Sequence, residues 1–395
     1  MQEPEKTLDS VKNFMNDIKN LNEGFITGIL IFIILTIILS ILVYYLYMRN
    51  LGDRECSLMN SLYQDNSLYI TSLNYENERC KHTLKDYYIM TAYNACSGGS
   101  YKNDFVGLCP LQNIIKQGVR GLDFEIYSIN DQPVVSTSTV SSYYIKETYN
   151  YVPFSDVINT IKSRAFTAAE APNYEDPIII HLRIKSNNQK MLSNLAEIFS
   201  GINTYLLGTN YSFEYNTCED NQCYARNLGD VTLKELNTDE YGKKRNRIIL
   251  IVDKSNTAVM ENQELYEYVN MTSGSMFMRN LNYYDVRYTP DMNELQNYNK
   301  TNMTISVPDD GISPENPSGI ITREMGCQLL SIRYQEYDEV TQENISFFNK
   351  EGYAFALKPE RLRYKEISIK PTPENPEQLN FATRKISSDY YSFET

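Results

Sequence analysis

The chain has 395 residues, with 37 Lys and Arg against 50 Asp and Glu, a net charge of −13, 33 Tyr and no Trp. That length allows one large domain with appendages. The acidic balance excludes the basic surface that phosphate neutralisation needs, so nucleic acid is not an expected partner, and it argues mildly against adhesion to anionic headgroups.

In residues 1–23, Leu8, Val11, Met15 and Ile18 recur at spacings of three and four. This predicts an amphipathic N-terminal segment able to pair with a partner helix, the alternative being a solvated tail. From Gly24 to Met48 no residue is charged. At a rise of about 1.5 Å per residue, this run exceeds the roughly 20 residues needed to cross a bilayer. Tyr44, Tyr45 and Tyr47 gather at one end, where aromatic rings suit the membrane interface. A signal-peptide apolar region is only about 7–15 residues long, so residues 24–48 are read as a retained transmembrane helix with the lipid bilayer as partner. Lys6, Lys12 and Lys19 before the span balance Arg49 and Arg54 after it, which leaves the orientation open.

Residues 49–84 read as a polar, partly helical stalk. Beyond them, IIIHLRI (178–184) and IILIVD (248–253) are continuous apolar runs separated by the helix-like MLSNLAEIFSGI (191–202). Such runs alternating with helices imply parallel strands covered on both faces. The expectation is an α/β fold, a (β/α)8 barrel over residues 85–368, where about 250 residues suffice. Residues 369–395 form a Pro-bearing tail expected to be extended. All seven cysteines follow the apolar span. Cys96 with Cys109 and Cys218 with Cys223 are the candidate disulfides; buried thiols in a reducing compartment are the alternative. No C-x-x-C pair is present, which argues against a zinc site. Five N-x-S/T sequons, at Asn210, Asn270, Asn299, Asn302 and Asn344, are few enough for an Asn-rich chain to carry by accident.

Two separated stretches carry more specific information. Residues 87–140 contain DYYIMTAYNACSGG, QGVRGLDFEIY and QPVVSTSTV; residues 326–363 read GCQLLSIRYQEYDEVTQENISFFNKEGYAFALKPERLR. In this order they resemble the X and Y boxes of the phosphoinositide-specific phospholipase C family. The resemblance implies a phospholipase-C-like TIM barrel that cleaves a phosphodiester with two histidines and a calcium ion. Here the two histidine positions fall on Tyr93 and Thr137. A general acid or base works best with a pKa near the operating pH and contributes about 10²–10⁴-fold. Histidine meets that condition, while tyrosine, at about 10, and threonine do not.

Of the calcium ligands the resemblance implies, Asn94 is kept and Asp123 and Glu125 stand at the acidic pair with Asp and Glu exchanged. The remaining acid falls on Arg183, whose guanidinium would neutralise both carboxylates. A vestigial ion-pair site of Asn94, Asp123, Glu125 and Arg183 is therefore expected ahead of calcium bound at Asn94, Asp123 and Glu125. One of the two lysines expected to hold inositol phosphates falls on Asp253, leaving Lys254. His82 and His181 are the only histidines; a structural role for His181 is expected, with acid–base rescue the alternative.

The whole arrangement also resembles single-pass proteins of large DNA viruses. It implies a virion or virus-modified host membrane, with capsid or other membrane proteins as partners. The combined expectation is a membrane-anchored, catalytically inactive barrel with a structural or interaction role. The alternatives are an active phosphoric diester hydrolase with an atypical site and a non-catalytic headgroup-binding module.

Overall fold

The computed structural model describes residues 23–64, 68–213, 227–366 and 383–394, the backbone alone of 216–219 and 222–225, and three isolated positions nearer the N-terminus. The amphipathic segment expected over residues 1–23 lies almost wholly outside the described residues, as do the side chains of Cys218 and Cys223.

The strands run in chain order as β1 (Tyr87–Ala92), β2 (Gly121–Ile129), β3 (Gln132–Ser136), β4 (Val152–Pro153), β5 (Ile178–Ile184), β6 (Asn216–Glu219), β7 (Gln222–Ala225), β8 (Ile248–Asp253), β9 (Met271–Ser273), β10 (Met278–Asn282), β11 (Met303–Val307), β12 (Leu329–Ile332) and β13 (Phe355–Leu357). Eight of them pair side by side in the order β10-β11-β12-β1-β2-β5-β8-β9, every neighbour parallel. The two ends of that path, β9 and β10, follow one another in the chain, so the sheet curls into a nearly closed barrel. This is the α/β TIM-barrel fold. β5 and β8 are buried at every position, as continuous Ile, Leu and Val runs require when helices cover one face and the barrel interior the other.

Two features depart from a strict alternation of strand and helix. After β2 the chain turns back as the antiparallel hairpin strand β3, through Asn130 and Asp131, both at positive φ. Between β9 and β10 only residues 274–277 intervene, with Gly274 at φ +69 and the Ser275 amide donating to the Met278 carbonyl at 3.0 Å. At Gly121 a Cβ would collide with the Thr91 side chain, so the close approach of β2 to β1 requires glycine there.

The segment expected as a polar stalk is part of the barrel's packing. The apolar helix Glu23–Arg49 is followed after Asn50 by the helix Leu51–Leu62. Met59 and Tyr63, four residues apart on one face, are buried, and the Tyr63 hydroxyl donates to the Tyr334 carbonyl at 2.5 Å. Ile70, Leu73 and Leu84 then join the main core. Cys56 is disulfide-bonded to Cys109. This corrects the expected pairing of Cys109 with Cys96, which is a free thiol buried just beyond β1. The reason is tertiary: helix Leu51–Leu62 packs beside helix Leu108–Lys116, while Cys96 turns into the core. Three sequon asparagines, Asn270, Asn299 and Asn344, are buried and serve the core rather than glycosylation.

One compact unit ends at Arg363. The unit from Tyr364 on contains an antiparallel hairpin, Lys385–Ser387 with Ser392–Glu394, where an extended tail was expected.

The Cys56–Cys109 bond closes a loop spanning 53 positions. In the chain-entropy account such a cross-link stabilises by about 4 kcal/mol. Reduction, or Cys109→Ser, should lower the urea unfolding midpoint of the chain by an amount equivalent to ~2–4 kcal/mol.

Candidate functional site

Strand alternation and register assemble the site. Asp123 and Glu125 are two apart on β2, as are His181 and Arg183 on β5, so each pair shares a face. The parallel register sets Asp123 beside His181 and Glu125 beside Arg183. That face is the barrel interior at the C-terminal ends of the strands, where TIM-barrel sites lie.

Arg183 is the centre. Its Nε donates to Asp123 Oδ1 at 3.0 Å, one terminal nitrogen to Asp123 Oδ2 at 2.7 Å and Asn94 Oδ1 at 2.8 Å, and the other to Glu125 Oε1 at 2.7 Å. The Tyr93 ring lies against the guanidinium, 4.3 Å from ring centre to Cζ. Asn94 adopts φ +45, a left-handed conformation that asparagine tolerates, and its amide donates to Asp123 Oδ2 at 3.2 Å. Glu125 Oε2 accepts from the Tyr127 hydroxyl at 2.7 Å, the Ser138 amide at 2.9 Å and the Ser138 hydroxyl at 3.2 Å.

All of these groups are buried. Burial opposes ionisation of Asp123, but the Arg183 charge and the hydrogen bonds from His181 and Arg183 outweigh it and hold the carboxyl well below the usual range. For Tyr93 burial dominates and drives the hydroxyl well above its ordinary value, against the pull of Arg183. Burial, then repulsion from Arg183, lowers the Lys185 ammonium.

A calcium ion takes about six to eight oxygen ligands. Here every carboxylate oxygen of Asp123 and Glu125 already accepts a hydrogen bond, and a permanent cation stands between them. The donor set does not fit a divalent cation. Among the described residues no cluster of three His, Cys, Asp or Glu side chains is placed to hold a metal ion.

His181 does not reach the mouth. Its Nδ1 lies 2.6 Å from Asp123 Oδ1 and its Nε2 2.8 Å from Ser273 Oγ. The connectivity is that of a Ser-His-Asp triad, yet all three side chains are fully buried, so no substrate meets Ser273. The chain of hydrogen bonds orients Asp123. His82 lies elsewhere, half-buried beside Arg363. Thr137 is buried and donates to the Tyr101 carbonyl at 3.1 Å.

Above Arg183 opens a cleft of about 450 Å³ lined by Tyr93, Arg183, Lys185, Asp253, Lys254 and Asn280, among others. Asp253 is fixed in orientation at the cleft: it accepts from Ser255 at 2.6 Å and from Asn280 at 2.5 Å. The structure brings Asn94, Asp123, Glu125 and Arg183 into one cluster, and adds Tyr127, Ser138, Lys185 and Ser273, which sequence reasoning missed. Tyr127 and Lys185 continue the two-residue periods of Glu125 and Arg183, a signal available in the sequence; Ser138 and Ser273 carry none.

Residues 80–223 match the sequence model of the phosphatidylinositol-specific phospholipase C X domain. No curated protein matches the chain. Among solved structures, it is similar to PLC21 of L. pealei, with a TM-score of 0.56, 17% identity, and coverage of 72% of this chain and 38% of that one. PLC21 of S. officinalis gives 0.55, 16%, 78% and 44%. The chain spans less than half the length of either solved protein, and at this identity the likeness is one of fold.

Arg183→Met strands two buried carboxylates and should cost about 3–5 kcal/mol in urea unfolding. The pH dependence should change sign. In the parent, Asp123 has a depressed folded pKa, so its contribution is present above the ordinary carboxylate pKa of about 3.9 and is lost as pH falls through the folded value. Without Arg183 the ionised pair is penalised, and the variant should instead lose stability as pH rises. By its X-domain match and its architecture, the chain carries a phospholipase-C-like TIM barrel with an arginine ion-pair cluster at its mouth.

Proposed function

We propose that this chain is a membrane-anchored phospholipase-C-like barrel that does not turn over phosphodiesters and works by interaction. The observation that carries the reading is the Arg183 guanidinium seated among Asn94, Asp123 and Glu125, where the enzyme chemistry would need a displaceable cation. The resemblance assigns the two proton-transfer positions to Tyr93, which burial holds protonated, and to Thr137, which does not titrate. His181 offers no substitute, because both of its ring nitrogens are engaged out of reach of the cleft. The apolar helix over Gly24–Arg49, none of it buried, supports a single membrane span. The resemblance to single-pass proteins of large DNA viruses supports a virion or virus-modified membrane as its location, with capsid or membrane proteins as partners.

A second reading has one observation in its favour. Lys185 and Lys254 line the cleft above Arg183, beside Asp253 and Asp285, and offer ammonium donors to a phosphate-bearing headgroup held without cleavage.

Purified full-length chain incubated with phosphatidylinositol and its bisphosphate should release no inositol phosphate with calcium or with chelator. Release abolished by Glu125→Ala would sink the non-enzyme reading. Saturable binding of soluble inositol phosphates, weakened about tenfold by Lys254→Ala as expected for a lost charge-assisted contact, would select the second.

A further inference from the structure

We propose that the apolar helix is clamped to the mouth side of the barrel, so that the loop of residues 141–151 rests in the headgroup region of the bilayer which that helix spans. The inference rests on the membrane-anchor reading above and commits to lipid as the partner of this surface.

The two helices abut at Asn50, whose amide donates to the Leu46 and Tyr47 carbonyls and whose carbonyl accepts from the Arg54 amide. The Arg54 guanidinium lies 4.9 Å over the Tyr47 ring and bridges the junction. Helix Leu51–Leu62 is therefore joined to the anchor through a single residue rather than through a long tether.

That helix is fixed to the barrel at two adjacent residues. Cys56 is covalently joined to Cys109. Glu55 reaches the loop that leaves the C-terminal end of β1. A Cβ on Gly99 would lie 2.5 Å from both Glu55 Oε1 and Asp104 Oδ2, so the glycine makes room for two carboxyl groups to meet. Asp104 is itself held by the Ser100 and Phe105 amides at 2.8 and 2.9 Å. Burial, then the hydrogen bond to Asp104, pushes Glu55 up to about 9, so Glu55 meets this loop as a neutral acid at neutral pH.

The clamp sets depth. A Cβ on Gly52 would lie 3.8 Å from Phe105 Cβ, and the Phe105 and Tyr149 ring centres are 5.5 Å apart, so Tyr149 is held at the level of Gly52. Gly52 stands four residues beyond Met48, the last of the uncharged run. Four residues are about 6 Å of helix, which places Tyr149 in the headgroup region. On the same loop Tyr143, Tyr144 and Ile145 are 49, 47 and 75% exposed. Consecutive aromatic and aliphatic side chains facing outward suit the interface, where rings bury an apolar body and keep the hydroxyl wet.

The absence of Trp makes the test direct. Tyr144→Trp installs a single fluorophore on the loop. Tyr241→Trp, at an 86% exposed position in the segment leading into the N-terminal end of β8, serves as the reference. In proteoliposomes of the full chain, lipids brominated near the interface should quench the Tyr144→Trp variant severalfold more than the Tyr241→Trp variant, and the difference should shrink in a Cys56→Ser/Cys109→Ser background. Equal quenching of the two variants in a chain that resists carbonate extraction overturns this inference and leaves the anchor standing. Extraction by carbonate overturns both. Unchanged quenching in the double-serine background overturns the clamp. A urea midpoint for Tyr144→Trp equal to that of the parent certifies the fold of the probe.

Discussion

A guanidinium buried in a barrel is tolerated only if its charge and its donors are all met, and that requirement organises the mouth of this protein. Arg183 is matched by two carboxylates and one amide oxygen, with an aromatic face alongside. Removing water from such groups is expensive, and the geometry must recover the loss through short, well-directed contacts. β2 and β5 have to keep one register, since a slip by a single residue would turn Asp123 and Glu125 away from Arg183. Asn94 must accept a left-handed backbone to bring its oxygen in. Tyr127 and Ser138 then saturate the far oxygen of Glu125. The cluster is a cross-brace between β1, β2, β5 and the β3 hairpin.

The same brace separates fold from chemistry. A site that binds a divalent cation leaves oxygens free for it and admits exchange with solvent. Here a fixed cation has no exchange step, and the groups around it are saturated. His181 shows how connectivity alone misleads: its bonds to Asp123 and Ser273 copy a nucleophile's relay, while complete burial makes them a device for aiming Asp123 at Arg183. The core that defines a TIM barrel lies beneath its site and does not depend on the chemistry there.

Outside the ion-pair cluster, the attachment of the N-terminal helices follows ordinary packing rules. Met59, Tyr63, Ile70 and Leu73 bury apolar surface that the barrel's own helices leave uncovered. A flexible tether would have no reason to carry these residues, or a cysteine facing Cys109.

The sequence alone determined what depends on local pattern. Uncharged length marked the apolar helix; continuous Ile and Val runs marked β5 and β8; the resemblance to the phospholipase C boxes put Asp123, Glu125 and Arg183 at one ligand site. The strands were legible because burial on both faces demands continuous apolar runs, while the ion pair was legible only through that resemblance. Only tertiary structure decided which cysteine meets Cys109, since helix Leu51–Leu62 finds its partner through a docking surface that no spacing records. It also decided that His181 is sealed from the cleft, because burial depends on Ser273 two strands away. Asp253, standing where a lysine was expected, is oriented by Asn280 from a later strand. Contacts between residues distant in sequence are set by how the sheet closes, and closure is a property of all eight strands together.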